Sequence, residues 1–175
     1  MRNSYYHSRE MQGLLLVGKL LDLHECGKMY VIIDSIITII LLKLLFFFLA
    51  DPCHHYSNLS DANRNENYIT IASGQTLCDS QLAEGWYRFV EAAGTKIPTK
   101  RVPAFRCGTN WSGWLMTAHP TIEDGEVNRM VCFSDRSTGC KVERSIFVKN
   151  CGLYYIYKLL APQDCPYRFC GTDEM

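Results

Sequence analysis

The sequence predicts a mainly β, small, disulfide-rich extracellular domain preceded by one hydrophobic N-terminal helix. Three observations carry that expectation. Eight of the nine cysteines follow a long apolar run, at Cys53, Cys78, Cys107, Cys132, Cys140, Cys151, Cys165 and Cys170. An even set downstream of a membrane-targeting stretch reads as a disulfide framework formed in an oxidising compartment. The region after residue 50 carries short runs of aromatic and β-branched residues separated by Gly, Pro and Asn, and no helical stripe of domain length. Ten tyrosines and three tryptophans suit strands and partly wet surfaces.

Three zones follow from this composition. Residues 1–29 form a polar N-terminal segment with a short apolar patch at Leu14–Val17. Cys26, the ninth cysteine, lies there; it reads as a reduced thiol, with S-acylation near a membrane as the functional alternative. Residues 30–50, YVIIDSIITIILLKLLFFFLA, are long enough to span a bilayer, for which roughly 20 apolar residues suffice. Asp34 and Lys43 interrupt the run, and each would cost about 2.5–3.5 kcal/mol at the centre of a spanning helix. Ala50 is small enough for a signal-peptidase site, but Phe48 two residues earlier fits the small-x-small pattern poorly. Cleaved signal and retained anchor both stay open, and under either one residues 51–172 form an exported domain.

Within that domain the strand expectations run in order. Gly85–Val90 (GWYRFV) and Val127–Phe133 are short strands. Lys141–Lys149 is a third, placing Val142, Arg144, Ile146 and Val148 on one face, which Arg144 interrupts. Leu153–Leu160 (LYYIYKLL) is the strongest candidate, with Asn150-Cys151-Gly152 as the hairpin turn before it. Trp111 and Trp114 flank Ser112-Gly113 in an expected loop, where they are candidates for exposed contact with a ligand. Trp86, Tyr155 and Tyr157 read instead as core or ordinary sheet surface.

Charge and motifs exclude several functions. Residues 51–175 carry 13 Lys/Arg against 14 Asp/Glu. No basic field is present to attract nucleic acid. His54, His55 and His119 lack the spacings of a zinc site, and bridged cysteines cannot ligate as thiolates, so no metal or other cofactor is expected. His119, Asp124 and Ser134 could be grouped as a hydrolase triad, but no nucleophile elbow supports it, and no catalytic residue is assigned. His119-Pro120 reads as a structural turn. Two N-x-S/T sequons, Asn58-Leu59-Ser60 and Asn110-Trp111-Ser112, are candidate N-glycosylation sites in an exported chain.

The order of these segments resembles the uromodulin-like eight-cysteine domain family. The matching pieces are Asp51-Pro52-Cys53-His54, Cys78-Asp79-Ser80, Gly85-Trp86-Tyr87-Arg88-Phe89, Val102-Pro103 to Arg106-Cys107, Trp114-Leu115 and His119-Pro120. Gly139-Cys140, Val148-Lys149-x-Cys151, Tyr154-Tyr155-x-Tyr157 and Ala161-Pro162-x-x-Cys165 to Cys170 complete the set. The resemblance covers essentially all of residues 51–172. It implies the pairs Cys53–Cys151, Cys78–Cys165, Cys107–Cys170 and Cys132–Cys140, which spacing alone could not choose among about 105 possibilities. A ten-cysteine version of the family has two more cysteines, paired with each other, that would fall at Arg101 and Gly139. The family's best-known activity is a high-mannose glycan offered to bacterial fimbrial adhesins as a decoy. Its sequon would fall in the strand of Tyr157–Leu160, where Lys158 stands for the asparagine and Leu160 for the hydroxyl residue. The resemblance does not carry the decoy to that position.

The expected function is a non-catalytic extracellular recognition, adhesion or glycan-presenting module, secreted, with a protein or glycan ligand. One alternative is a single-pass, membrane-tethered receptor-like protein at the cell surface, touching the membrane only through residues 30–50. The other is a secreted protease inhibitor that uses Thr95–Arg101 (TKIPTKR) as its exposed loop.

Overall fold

A computed structural model of the chain describes residues 33–46, 48–70, 76–137, 139–162 and 165–174. The chain divides into two units, Met1–Asp51 and Pro52–Met175. In the first, helix α1 (Ile33–Ala50) has 18 residues, a mean hydropathy of 2.4 and exposed side chains. At 1.5 Å per residue it is about 27 Å long, close to the hydrocarbon thickness of a bilayer. Thr38 donates its hydroxyl to the Asp34 carbonyl at 2.9 Å, so this polar side chain is satisfied within the helix.

The second unit is one seven-stranded sheet: β1 (Ser57–Leu59), β2 (Gly85–Phe89), β3 (Trp111–Leu115), β4 (Glu126–Ser134), β5 (Val142–Asn150), β6 (Tyr155–Leu159) and β7 (Tyr167–Phe169). The spatial order is β1-β2-β6-β5-β4-β3-β7. The interior pairings are antiparallel, and both edge strands join parallel to their neighbours. Among the described residues of this unit the helical elements are three-residue 3₁₀ turns, Pro52–His54, Ala62–Arg64 and Glu91–Ala93.

The expected strands at 85–90, 127–133 and 141–149 are β2, β4 and β5. The fourth is shorter than expected: β6 starts at Tyr155, and residues 151–154 form the hairpin loop. Asn150 holds that loop by accepting the Gly152 N–H at 2.8 Å, and Cys151 N–H reaches the Tyr154 carbonyl at 2.9 Å. The expected loop at 111–114 is instead strand β3, hydrogen-bonded on both sides. Its small residues serve close packing. A Cβ added at Gly113 would lie 2.7 Å from the Phe133 ring and 2.9 Å from the Arg168 carbonyl oxygen.

The core forms on one face of the sheet, from Tyr87 and Phe89, Leu115, Val131 and Phe133, Ile146 and Val148, and Tyr157 and Leu159. On β5, Ile146 and Val148 are buried while Arg144 is exposed, so the interruption seen in the sequence is real. The edges curl toward one another, because Leu59 of β1 and Tyr167 and Phe169 of β7 share that core. Gly171 closes the roll by bridging to Asn65, and Thr172 by bridging to Lys96. A smaller cluster of Val102, Cys107, Cys170 and Trp114 covers part of the opposite face.

Candidate functional site

Four disulfides, Cys53–Cys151, Cys78–Cys165, Cys107–Cys170 and Cys132–Cys140, tie the loops to this sheet. They are the pairs the family resemblance implies. Three join segments 63 to 98 residues apart, and Cys132–Cys140 closes the β4–β5 connection over 8 residues. Such a set forms and persists where thiols are oxidised, which places the domain outside the cytosol.

The two sequons stand in different settings. Asn58 lies on edge strand β1, paired in register with Arg88 of β2. Leu59 points into the core while Asn58 and Ser60 are exposed, so the buried leucine turns both sequon side chains outward. β1 rests on a polar aromatic stack. The Arg88 guanidinium lies 3.9 Å from the centroid of the Tyr154 ring and donates to the Tyr56 hydroxyl at 3.2 Å. Tyr154 in turn donates to the Cys53 carbonyl at 2.7 Å, beside the Cys53–Cys151 bridge. The Arg88 hydrogen bond favours the phenolate and lowers the Tyr56 pKa.

Asn110 is half-buried at the entry to β3, and its side-chain oxygen accepts from the Thr76 hydroxyl at 3.3 Å. Its sequon hydroxyl, Ser112, is fully buried. Ser112 accepts the Arg106 N–H at 3.1 Å and donates to the Arg106 carbonyl at 3.2 Å. The tryptophans beside it are structural rather than freely exposed. Trp111 packs on the main core and against Tyr167, with ring centroids 4.6 Å apart. Trp114, on the other face of the same strand, packs on the second cluster and donates its indole N–H to Ser134 at 2.8 Å. Both rings are half-buried on this strand.

His119, Asp124 and Ser134 each have a separate structural partner. Ser134 holds Trp114. Asp124 accepts from Thr121 N–H and hydroxyl at 2.8 and 3.0 Å, closing a turn that lowers its pKa. His119 stacks on Tyr155, centroids 4.3 Å apart, and its Nε2 meets the Tyr157 hydroxyl at 2.8 Å. That hydroxyl accepts the Ile97 N–H at 3.0 Å, so its own proton goes to His119. Burial raises the Tyr157 pKa, keeping the proton on the phenol. Burial, followed by the charges of Lys96 and Arg129, lowers His119 to about 4. The imidazole is a neutral acceptor that locks 119 to β6, more than the turn expected from His119-Pro120.

Among the described residues no group of three His, Cys, Asp or Glu is arranged to hold a metal ion, and His54 and His55 are exposed. In the Thr95–Arg101 segment, Ile97 and Pro98 are buried and Pro98 accepts the Leu115 N–H, which leaves Thr99–Arg101 as an exposed tip. Lys100 at that tip pairs with Glu174 at 2.9 Å. The Arg101 guanidinium lies over Gly139, within 3.1–3.3 Å of where a Cβ would stand. The two positions assigned to the extra cysteines of the ten-cysteine version are therefore neighbours in space.

One constellation was not expected from the sequence. Arg64, Asp79 and Arg168 are all buried. Asp79 takes both Arg64 terminal nitrogens at 2.8 Å and the Phe169 N–H at 2.9 Å. Arg168 donates to the Asn63 side chain at 2.9 Å and the Cys107 carbonyl at 3.0 Å, and lies 3.3 Å from Asp61. Burial, then Arg64, lowers the Arg168 pKa to about 10. Nothing in periodicity or spacing marks Arg64, and only the recurrent Cys78-Asp79-Ser80 segment pointed to Asp79.

Comparison with known proteins agrees with this architecture. The family model of the uromodulin-like domain, the one called after its eight cysteines, matches residues 87–171. The pancreatic secretory granule membrane major glycoprotein GP2 of Rattus norvegicus is 40% identical over 128 residues, covering 70% of this chain and 23% of its own. Uromodulin of Mus musculus is 37% identical over 124 residues, covering 70% of this chain and 18% of its own. The chain thus spans about a quarter or less of the curated relatives it matches. With its four bridges, its rolled sheet and this match over residues 87–171, the chain belongs to the uromodulin-like eight-cysteine domain family.

Proposed function

We propose that this domain is a non-catalytic extracellular recognition module that presents an N-linked glycan at Asn58. The observation that carries the reading is the geometry of β1: an edge strand anchored by Leu59, with Asn58 and Ser60 both facing outward. A glycan there projects from the sheet edge without disturbing the core. It also blocks an edge that would otherwise offer unpaired backbone groups to another chain. Asn110 is the less favourable site, since it is half-buried and its side-chain oxygen is held by the Thr76 hydroxyl. The kinship with membrane and secretory glycoproteins supports the reading.

The test is peptide mass spectrometry on protein from a secretory eukaryotic host, after an amidase that converts each occupied asparagine to aspartate. The expected result marks Asn58 and leaves Asn110 unmarked. An unmarked Asn58 overturns the proposal. The same protein, with and without Asn58→Gln, is then passed over a panel of mannose-, galactose- and sialic-acid-binding lectins, and retention is expected only with Asn58.

A second reading, a single-pass tethered protein, draws on α1, whose length and hydropathy suit a bilayer. Retention of the chain in the membrane pellet through an alkaline wash supports it, and recovery of a product beginning near Asp51 in the medium rejects it.

A further inference from the structure

β6 pairs with β5 from Asn150↔Tyr155 to Phe147↔Lys158, while β5 continues to Val142 beside β4 alone. Where the chain leaves β6, a cleft of about 340 Å³ opens between β5 and the departing segment. Buried Ile146 and Phe169 form its floor, Leu160, Ala161 and Pro162 one wall, and exposed Arg144 its mouth. Arg144 sits on the strand face shared with Val142, Ile146 and Val148. Its one hydrogen bond among the described residues runs from Nη1 to the adjacent Glu143 carbonyl at 3.1 Å, and no carboxylate pairs with it there. The two arginines that are buried among the described residues, Arg64 and Arg168, are both matched to carboxylates. A cation that interrupts an apolar face and meets no acidic partner among the described residues is complementary to an anion from outside.

We propose that this cleft binds a small amphiphilic carboxylate. The guanidinium takes the carboxylate at the mouth through two parallel N–H···O bonds, the geometry for which Arg is better suited than Lys. The aromatic or aliphatic body of the ligand lies against Ile146, Leu160, Pro162 and Phe169. The volume is at the small end of the about 300–1,000 Å³ range of ligand sites, enough for one ring and a short chain. The site is independent of any glycan at Asn58.

The experiment uses the oxidised protein from a secretory host, titrated with 4-phenylbutyrate and, separately, with uncharged 4-phenylbutanol, followed by ¹H–¹⁵N NMR. Saturable shifts centred on Arg144, Ile146 and Leu160 are expected with the acid, with the alcohol binding at least about tenfold more weakly. Arg144→Gln should weaken the acid about tenfold or more, and Arg144→Lys by less, since it keeps charge but loses the fork. Leu160→Trp, at an exposed position, should fill the cleft and abolish binding while the remaining spectrum stays native. No saturable shift by about 10 mM overturns the proposal. So does binding that is equal for acid and alcohol, or unchanged in Arg144→Gln and Leu160→Trp.

Discussion

Asp79 is a single carboxylate facing two buried arginines, so its removal has a defined consequence. Asp79→Asn leaves the Arg64 guanidinium buried without its bidentate partner, and breaking a buried pair in this way costs about 3–5 kcal/mol. Urea denaturation of the oxidised domain should show a loss of that size. A loss within experimental error would mean that Asp61 and the Phe169 carbonyl suffice to hold Arg64. His119 gives a second prediction at this scale. Its folded pKa of about 4 lies below the ordinary 6.5. The unfolded chain therefore takes up the proton first as pH falls. Stability is complete above pH 6.5, declines through the window down to about 4, and loses up to about 3 kcal/mol there. His119→Gln should flatten the profile between those pH values when midpoints are compared in urea.

Elements were legible where their residues were extreme in type. The aromatic and β-branched runs of β2, β4, β5 and β6 stand out along the chain, and each became a strand. β1 and β7 did not, because a three-residue strand offers no alternation to detect: β1 buries only Leu59, and β7 buries an arginine in its middle. β3 was masked by Ser112 and Gly113, whose smallness suits a turn as well as the close approach of Phe133 and Arg168. The two tryptophans were expected in a loop for the same reason and stand instead, half-buried, on a strand. The disulfide pairing was legible only through family resemblance, because cysteine spacing does not reveal which loops meet. Its energetics differ by element. On chain entropy alone, an 8-residue closure contributes about 2.5 kcal/mol and a 98-residue closure about 4.7 kcal/mol. Cys132→Ala with Cys140→Ala should therefore still yield secreted, folded protein. Cys53→Ala with Cys151→Ala should lower secreted yield severely, since that bridge also anchors the Tyr154–Arg88 stack beneath β1. Equal yields from the two double variants, measured in culture medium, would contradict this ranking.

At the scale of the whole molecule, the roll of the sheet depends on the segment after β7. Thr172 receives the N–H groups of Thr95 and Lys96 at 2.9 and 3.2 Å and donates its own to the Lys96 carbonyl at 2.7 Å, while its hydroxyl bonds Glu66. Gly171 passes so close to the turn after β2 that an added Cβ would stand 2.0 Å from the Ala93 carbonyl oxygen and 2.7 Å from the Phe89 ring. These contacts join the two edges of one sheet across its open side, and they lie next to Cys170, whose bridge to Cys107 fixes the same segment covalently. The bridge limits how far the segment can move but does not supply its backbone pairing. Gly171→Ala should therefore force the segment outward and cost about 1–3 kcal/mol. Thr172→Pro removes the N–H to Lys96 and should cost about 3 kcal/mol or more when strain is included. Glu174→Gln, which breaks only the fully exposed pair with Lys100, should leave stability unchanged and serves as the control. Hydrogen exchange localises the effect. In the Gly171 and Thr172 variants, protection should fall together at Lys96, Glu66 and the β1–β2 pair, while β4 and β5 keep theirs. Loss of protection confined to residues 170–174 would instead show that the edges of the sheet hold their places without being joined.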